Sequence, residues 1–386
     1  MKYILPAILL AAVACYGETP VPDGFGINIH FTDPRPGEMK MIVDAGFKWV
    51  RMDLNWGGTE REKGKYDFRA YDRLMTALDE HGIRALFILD YANRHYDNGL
   101  SPHTDEGRAA FARWTAAAVE HFKGRNVLWE MWNEPNLKQS WKSEPNVTNY
   151  TALAIAVGKA IKTVAPREKY CGPAVCEINL KFLEACFQGG ALEYWDAVTV
   201  HPYRGISPPE TVLPEYAKLR ILIDKYAPKG RRIPILSGEW GYSTVQKNID
   251  DEKQGKYLSR QFLMNLLAGV PLSIWYDWHD DGTDPKDKEH HFGIVRHQFF
   301  KERDPVYDTK PAYATLQVLV ANLRGYRFDK RIETGSPDDF VLLFRKNWQT
   351  KFAAWTVAAP HEAVVGGERM TLTGAVQYIE PKETPR

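Results

Sequence analysis

The sequence has little cysteine and almost no net charge. Of its 386 residues four are cysteines, and the formal net charge is +1. A balanced charge gives no electrostatic case for nucleic acid as a partner. Cys176 and Cys186 are candidates for a disulfide, and the alternative is that these two and Cys171 are three buried thiols. Their spacing is not that of a zinc site.

Long apolar runs are scarce as well. Ile4–Ala14 follows Lys2 and is too short to span a bilayer as a helix. With the small residues at 12–14 it predicts a signal peptide over residues 1–15, and hence export. Cys15 directly after Ala14 resembles a lipoprotein box. The expected location is therefore secreted, periplasmic or anchored to a membrane through a lipidated Cys15.

Short apolar runs alternate with helical patterns along most of the chain. The predicted strands cover residues 25–30, 47–53, 84–90, 126–128, 170–175, 196–201, 233–239 and 271–277. The predicted helices cover residues 36–46, 68–81, 105–122, 147–164, 180–187, 213–226, 252–267 and 312–323. Eight such units predict an α/β fold, a single (β/α)₈ TIM barrel over residues 24–325. A doubly wound sheet is the alternative, but no Gly-rich phosphate loop follows the first strand.

The pattern changes near residue 325. Runs at 339–345, 351–357 and 377–379 read as strands separated by turn residues. They predict a small all-β module over residues 326–386. Because about 60 residues make a marginal core, the module is expected to dock on the barrel.

Two glutamates stand at predicted strand ends in unusual surroundings. Glu134 lies between Asn133 and Pro135 after the fourth strand, and Glu239 ends the seventh within Ser237–Gly241. Chemistry in such barrels collects at the carboxyl ends of the strands. Paired carboxyl groups, one protonated and one ionised, are what glycosidic cleavage needs. We therefore predict Glu134 as acid/base and Glu239 as nucleophile.

Other polar and aromatic residues fall at the same ends of the strands. Arg51 and Tyr203 are predicted to hold Glu239 ionised, and Asn133 to hold a sugar 2-hydroxyl. Further predicted site residues are His201, His30, Asp90, Asn93 and Trp275, the last as a stacking platform. An extended groove is expected from five tryptophans near strand ends, which favours endo action: Trp56, Trp141, Trp240, Trp275 and Trp278.

A metal is not expected. The segment 278–284 is rich in His and Asp but lacks the spacing of a calcium loop or zinc helix, so it reads as a loop facing the substrate. A metal-dependent hydrolase on this barrel is an alternative that needs ligands on strands one, four and five. The fifth strand supplies none.

Trp132–Pro135 and Ser237–Gly241 resemble the catalytic strands of clan A retaining glycoside hydrolases, with families 5 and 39 nearest. Val50–Arg51, His201–Tyr203 and Trp275 fall where that clan keeps its Arg, His/Tyr and Trp. The resemblance covers about residues 24–325. It implies hydrolysis of a β-linked polysaccharide or oligosaccharide with retained configuration, through a covalent intermediate and without a cofactor. The rival interpretation is a non-catalytic carbohydrate-binding lipoprotein on the same barrel.

Overall fold

The computed structural model describes residues 19–381, and the predicted signal peptide, with Cys15, lies outside them. Eight parallel strands close into a barrel. They are β1 Phe25–Asn28, β2 Trp49–Asn55, β3 Arg84–Asp90, β4 Leu128–Met131, β5 Lys169–Cys176, β6 Ala197–His201, β7 Ile235–Trp240 and β8 Ser273–Trp275. The register between β1 and β8, Phe25 opposite Ser273, completes the ring. The predicted (β/α)₈ barrel is confirmed.

Helices follow the strands and cover the barrel. They are α1 Glu38–Ala45, α2 Trp56–Thr59, α3 Arg69–Glu80, α4 Asp105–His121, α5 Lys138–Trp141, α6 Val147–Val164, α7 Leu180–Gln188, α8 Leu213–Tyr226, α9 Asp251–Leu267 and α10 Pro311–Leu323. Side-chain caps fix several starts, as where Asn146 and Asn179 accept backbone N–H groups at α6 and α7. Within residues 19–381 no helix combines the length and apolarity that crossing a membrane requires.

Further strands follow the barrel. They are β9 Val295–Phe299, β10 Tyr307–Thr309, β11 Arg327–Ile332, β12 Asp339–Lys346, β13 Gln349–Thr356, β14 His361–Val365, β15 Glu368–Leu372 and β16 Gln377–Ile379. The last six form two antiparallel sheets, β11-β12-β13-β16 and β14-β15. An antiparallel C-terminal region is thus confirmed, while the division at residue 325 stays a prediction. The sequence missed β11, β14 and β15, whose solvated faces give weak apolar alternation.

The barrel sheet has an apolar layer on each face, one between the strands and the surrounding helices and one inside the barrel. Leu86, Ile88, Cys171, Leu236 and Ile274 fill the interior beneath the strand ends. Glu130 pairs in register with Ile88 and Cys171, so its side chain belongs to this inward-facing layer.

The cysteines of the described region are free, so the candidate disulfide between Cys176 and Cys186 is not formed.

Candidate active site

The carboxyl ends of the strands surround a cleft of about 920 Å³. This is within the range of small-ligand sites. Both predicted catalytic glutamates line it, together with Arg51, Asn133 and Tyr203. The cleft wall is mostly polar, which suits a ligand rich in hydroxyl groups.

Arg51 is the centre of the hydrogen-bond network under the cleft. Its guanidinium has five N–H donors, and the structure offers each an acceptor. The acceptors are Glu130 Oε2 at 2.7 Å, Glu239 Oε2 at 2.7 Å, Asn28 Oδ1 at 3.3 Å, Asn133 Oδ1 at 2.8 Å and His201 Nε2 at 3.2 Å. Burial alone would lower the pKa of Arg51, but the charges of Glu130 and Glu239 raise it. The arginine is therefore charged and fully bonded.

Glu239 is held as a carboxylate with one edge toward the cleft. Its Oε2 accepts from Arg51 and its Oε1 accepts from the Tyr203 hydroxyl at 2.7 Å. Burial, followed by the charge of Glu239, raises the pKa of Tyr203 well above its usual range, so the phenol stays a donor. Two donors on an ionised, partly exposed carboxylate are the environment of a nucleophile.

Glu134 has the opposite environment. Burial raises its pKa above the ordinary value. No lysine or arginine in the described residues forms an ion pair with it, and its near neighbours are His201 and the Cys176 thiol. A carboxyl group that keeps its proton is a general acid.

The tautomer of His201 follows from the hydrogen bonds of its two ring nitrogens. Burial lowers its pKa to about 4, so the ring is neutral at pH 7. Arg51 can only donate, which makes His201 Nε2 an acceptor and leaves the ring proton on Nδ1. Nδ1 lies 3.1 Å from Glu134 Oε1 and donates to it. The neutral ring orients Glu134 by donating this hydrogen bond, and it does not accept the proton of Glu134.

The two carboxyl groups lie close together. One oxygen of Glu134, one of Glu239 and a ring nitrogen of His201 are all within 4.8 Å of one another. Retaining glycosidases place their carboxyl groups about 5–5.5 Å apart, and inverting ones about 6.5–9.5 Å. The short gap fits direct attack by Glu239 and leaves little room for a water between it and the substrate.

Asn133 is oriented by the same arginine. Because its Oδ1 accepts from Arg51, its amide nitrogen is left to donate, and the residue lines the cleft together with Tyr91. The N–H groups can donate to a sugar hydroxyl, as the predicted role needs.

The predicted platform at Trp275 is wrong in position. Trp275 is fully buried and its ring packs toward Tyr242, with centroids 6.3 Å apart. Strand β8 ends at Trp275, and the next residue, Tyr276, lines the cleft instead. Because side chains alternate along a strand, Trp275 and Tyr276 point to opposite sides, and it is Tyr276 that faces the cleft.

Other predicted site residues prove structural. Asn93 is buried and bonds the Glu60 carbonyl and the His95 amide, away from the cleft. Asp90 is also fully buried and does not line the cleft, and burial and the neighbouring Asp53 raise its pKa. The five tryptophans expected to line a groove are each at most 1% exposed and belong to the core.

His30 does reach the cleft, where it meets two aspartates. Its Nε2 lies 3.4 Å from Asp277 and 3.9 Å from Asp281. Burial raises the pKa of Asp277 to about 8, whereas contact with Asp277 outweighs burial at His30 and raises the pKa of that imidazole to about 9. Of the two, His30 lines the cleft, where its ring can donate an N–H to a sugar hydroxyl.

Sequence reasoning missed several residues that complete the site. Glu130 lies deeper in the barrel than Glu134 and acts as the second carboxylate on Arg51. Cleft residues not foreseen individually are Tyr91, Tyr276, Lys288, Glu289 and Phe292. Tyr91 and Tyr276 directly follow β3 and β8, and that adjacency to a strand end was their only signal. The other three come from the loop after β8, but the segment 278–284, which was predicted to face the substrate, is not among the residues that line the cleft.

Fold and site together define a (β/α)₈ barrel with one glutamate just after β4 and another at the end of β7. The family described as Cellulase (glycosyl hydrolase family 5) matches residues 18–282, and the chain belongs to this family. The predicted resemblance to clan A glycoside hydrolases is confirmed.

Other relatives include a β-xylosidase and family 39 glycoside hydrolases. A β-xylosidase of Geobacillus stearothermophilus is 28% identical over 235 residues, which cover 50% of this chain and 45% of that protein. The match thus spans less than half of that relative. A family 39 glycoside hydrolase from Bacteroides cellulosilyticus WH2 superposes with a TM-score of 0.81 at 24% identity, over 95% of this chain and 82% of that one. A GH39 β-xylosidase from Caulobacter crescentus superposes with a TM-score of 0.66 at 21% identity, over 89% of this chain and 80% of that one. At these identities the structures establish the fold.

Proposed function

We propose that this protein is an exported retaining glycosidase that cleaves β-linked oligosaccharides or polysaccharides. The observation that carries the proposal is the pair of glutamates with opposite environments and oxygens within 4.8 Å. Glu239 is charge-paired and accepts two short hydrogen bonds, whereas burial raises the pKa of Glu134. Export, and lipid attachment at Cys15, are supported by the N-terminal sequence pattern alone.

The reaction takes two displacements. A Glu239 oxygen attacks the anomeric carbon while the bond to the leaving oxygen breaks, and Glu134 gives that oxygen its proton. Glu134, now ionised, takes a proton from water. The hydroxide adds to the anomeric carbon and Glu239 leaves. Tyr203 and Arg51 stabilise the carboxylate of Glu239 at the start and end of this cycle.

The substrate proposed for a first test is a β-xyloside, because two of the relatives are named β-xylosidases. The sequence-based preference for endo action has lost its support, since the tryptophans behind it are buried. Aromatic contacts to a sugar ring come instead from Tyr91, Tyr276 and Phe292 on the cleft wall.

The test is hydrolysis of a panel of aryl β-glycosides and β-linked polysaccharides, with products followed by proton NMR. We expect the β-anomer to appear first and chelation to leave the rate unchanged, with Glu134→Gln as the control. The α-anomer first would contradict retention. Binding without hydrolysis by the folded protein would favour the carbohydrate-binding alternative.

A further inference from the structure

We propose that Asn136 is a positioning residue that holds Glu134 in its proton-donating orientation. This inference rests on the proposed function. It starts from the backbone of the loop after β4, where Trp132 has φ 64° and Glu134 has φ 47°. Left-handed conformations at residues other than glycine are strained and persist only where the surroundings fix them.

The surroundings that fix Glu134 are the end of strand β5. The Glu134 N–H donates to the Ala174 carbonyl at 2.9 Å. The Glu134 carbonyl accepts from the Leu137 N–H at 2.9 Å, so the chain turns through Pro135, which has no N–H to donate. The backbone pairing with β5 therefore ends at the catalytic residue.

The side-chain amide of Asn136 takes over where the backbone stops. Its Oδ1 accepts from the Cys176 N–H at 2.9 Å, and its Nδ2 donates to the Cys176 carbonyl at 3.1 Å. A carboxamide has the same donor and acceptor as a peptide unit, so it closes a two-bond pair with one backbone residue. Glu134 thus lies between two anchors on β5, Ala174 before it and Cys176 after it.

The anchored segment of β5 is itself held. Ala174 has φ 53°, and the β5–β6 register shifts between Pro173 and Val175. The Ala174 N–H donates to Thr199 Oγ1 on β6 at 2.9 Å. Cys176 lines the cleft beside Glu134, and its thiol contributes to the pKa shift of that glutamate, so displacing this segment displaces the environment of the acid.

We call the two hydrogen bonds between Asn136 and Cys176 the clamp, and its loss should affect proton transfer by Glu134. Glu239 should stay in place, because it is held by Arg51 and Tyr203, which are not hydrogen-bonded to Asn136. An activated leaving group departs without a proton, whereas a poor one needs Glu134 in place. The cost of removing Asn136 should therefore grow with the basicity of the leaving group.

The experiment compares kcat/KM for aryl β-glycosides with leaving groups of low and high pKa. We expect Asn136→Ala to lose about 100-fold with the poor leaving group, and only a few-fold with the activated one, since small misplacements of a catalytic group cost that much. Asn136→Asp, which keeps the acceptor and loses the donor, should resemble Asn136→Ala. The matched control is Asn179→Ala, which removes an amide that only caps α7.

Equal losses on both substrates, or none, would overturn the positioning role. A second readout needs no turnover: the pKa of Glu134, assigned by carboxyl carbon NMR against Glu134→Gln. The clamp predicts a fall toward the ordinary glutamate value in Asn136→Ala, and an unchanged pKa contradicts it. If the wild type hydrolyses no glycoside yet this pKa falls, the proposed function fails while the clamp stands.

Discussion

Two buried arginine–glutamate clusters within residues 19–381 use the same chemistry for different ends. In the active site Arg51 is 1% exposed and binds Glu130 and Glu239. Where the C-terminal sheets meet the barrel, Arg260 on α9 is 6% exposed and binds Glu210. Both clusters repay the cost of burying charge with short, well-placed hydrogen bonds.

The clusters differ in whether a carboxylate remains accessible to a ligand. Glu210 has Arg260 Nε and Trp355 Nε1 on one oxygen and Arg260 Nη2 on the other, so it joins β13 to the barrel and offers nothing to a ligand. Glu239 also accepts two bonds but lies on the cleft floor, where its carboxylate can reach a substrate. Access to the cleft, rather than ion pairing, distinguishes the catalytic carboxylate from the structural one.

The largest expected effect is on catalysis at Glu239. Replacing it with Gln keeps the shape and removes the nucleophile, so kcat/KM should fall at least about 10⁴-fold. Thermal unfolding should show that the variant remains folded. A variant with a tenth of wild-type activity would mean that Glu239 is not the nucleophile.

Glu210→Ala should have the converse effect. Removing one partner of a buried pair leaves Arg260 uncompensated, which costs about 3–5 kcal/mol of unfolding free energy. Urea denaturation measures that loss, and kcat of the folded fraction at 25 °C should stay within about twofold, as for changes remote from the reacting atoms. If activity fell and stability did not, the contrast between the two clusters would be lost.

Arg51→Lys tests whether charge alone suffices in the site. Lysine keeps the charge but has three donors instead of five, so some of the acceptors around Arg51 lose their partner. We expect kcat/KM to fall about 10²-fold, a cost typical of losing electrostatic donors at a reacting group. Full activity in this variant would show that the fork geometry is unimportant.

Trp355→Phe should be the mildest change at the junction. It removes one N–H bond to Glu210 and retains the aromatic ring that stacks on Phe340 at 5.2 Å. The free energy of unfolding, measured by urea denaturation, is expected to fall by about 1–2 kcal/mol, with unchanged kcat. If the loss of unfolding free energy were as large as that of Glu210→Ala, the tryptophan rather than the ion pair would account for the stability of the junction.

The pH profile should separate Glu134 from both clusters. Glu134 must be protonated in the first displacement, so kcat/KM falls as pH rises through its pKa. Since burial raises that pKa, the fall comes at a higher pH than for an ordinary glutamate. Glu134→Gln should lack this limb, whereas Glu210→Ala should retain it.

The sequence predicted the barrel because eight apolar runs alternate with helices, and parallel closure then brings the strand ends together. Arg51, Tyr203 and His201 could be named for that reason. The exchange of Trp275 for Tyr276 could not, because it depends on where β8 ends and on a register shift between β7 and β8. Nor could the burial of the tryptophans, since an aromatic near a strand end suits core and cleft equally. Asn136 left one usable signal: it follows a proline, where the backbone has lost a donor.

Trapping the intermediate on the enzyme tests the central claim most directly. A 2-deoxy-2-fluoro β-glycoside of an accepted sugar, with an activated leaving group, should slow the second displacement and leave the sugar attached. We predict that mass spectrometry of the digested protein finds the added sugar on the peptide with Glu239, and that Glu239→Gln is not labelled. A label on any other carboxylate, or turnover through a sugar never bound to the protein, would contradict the account.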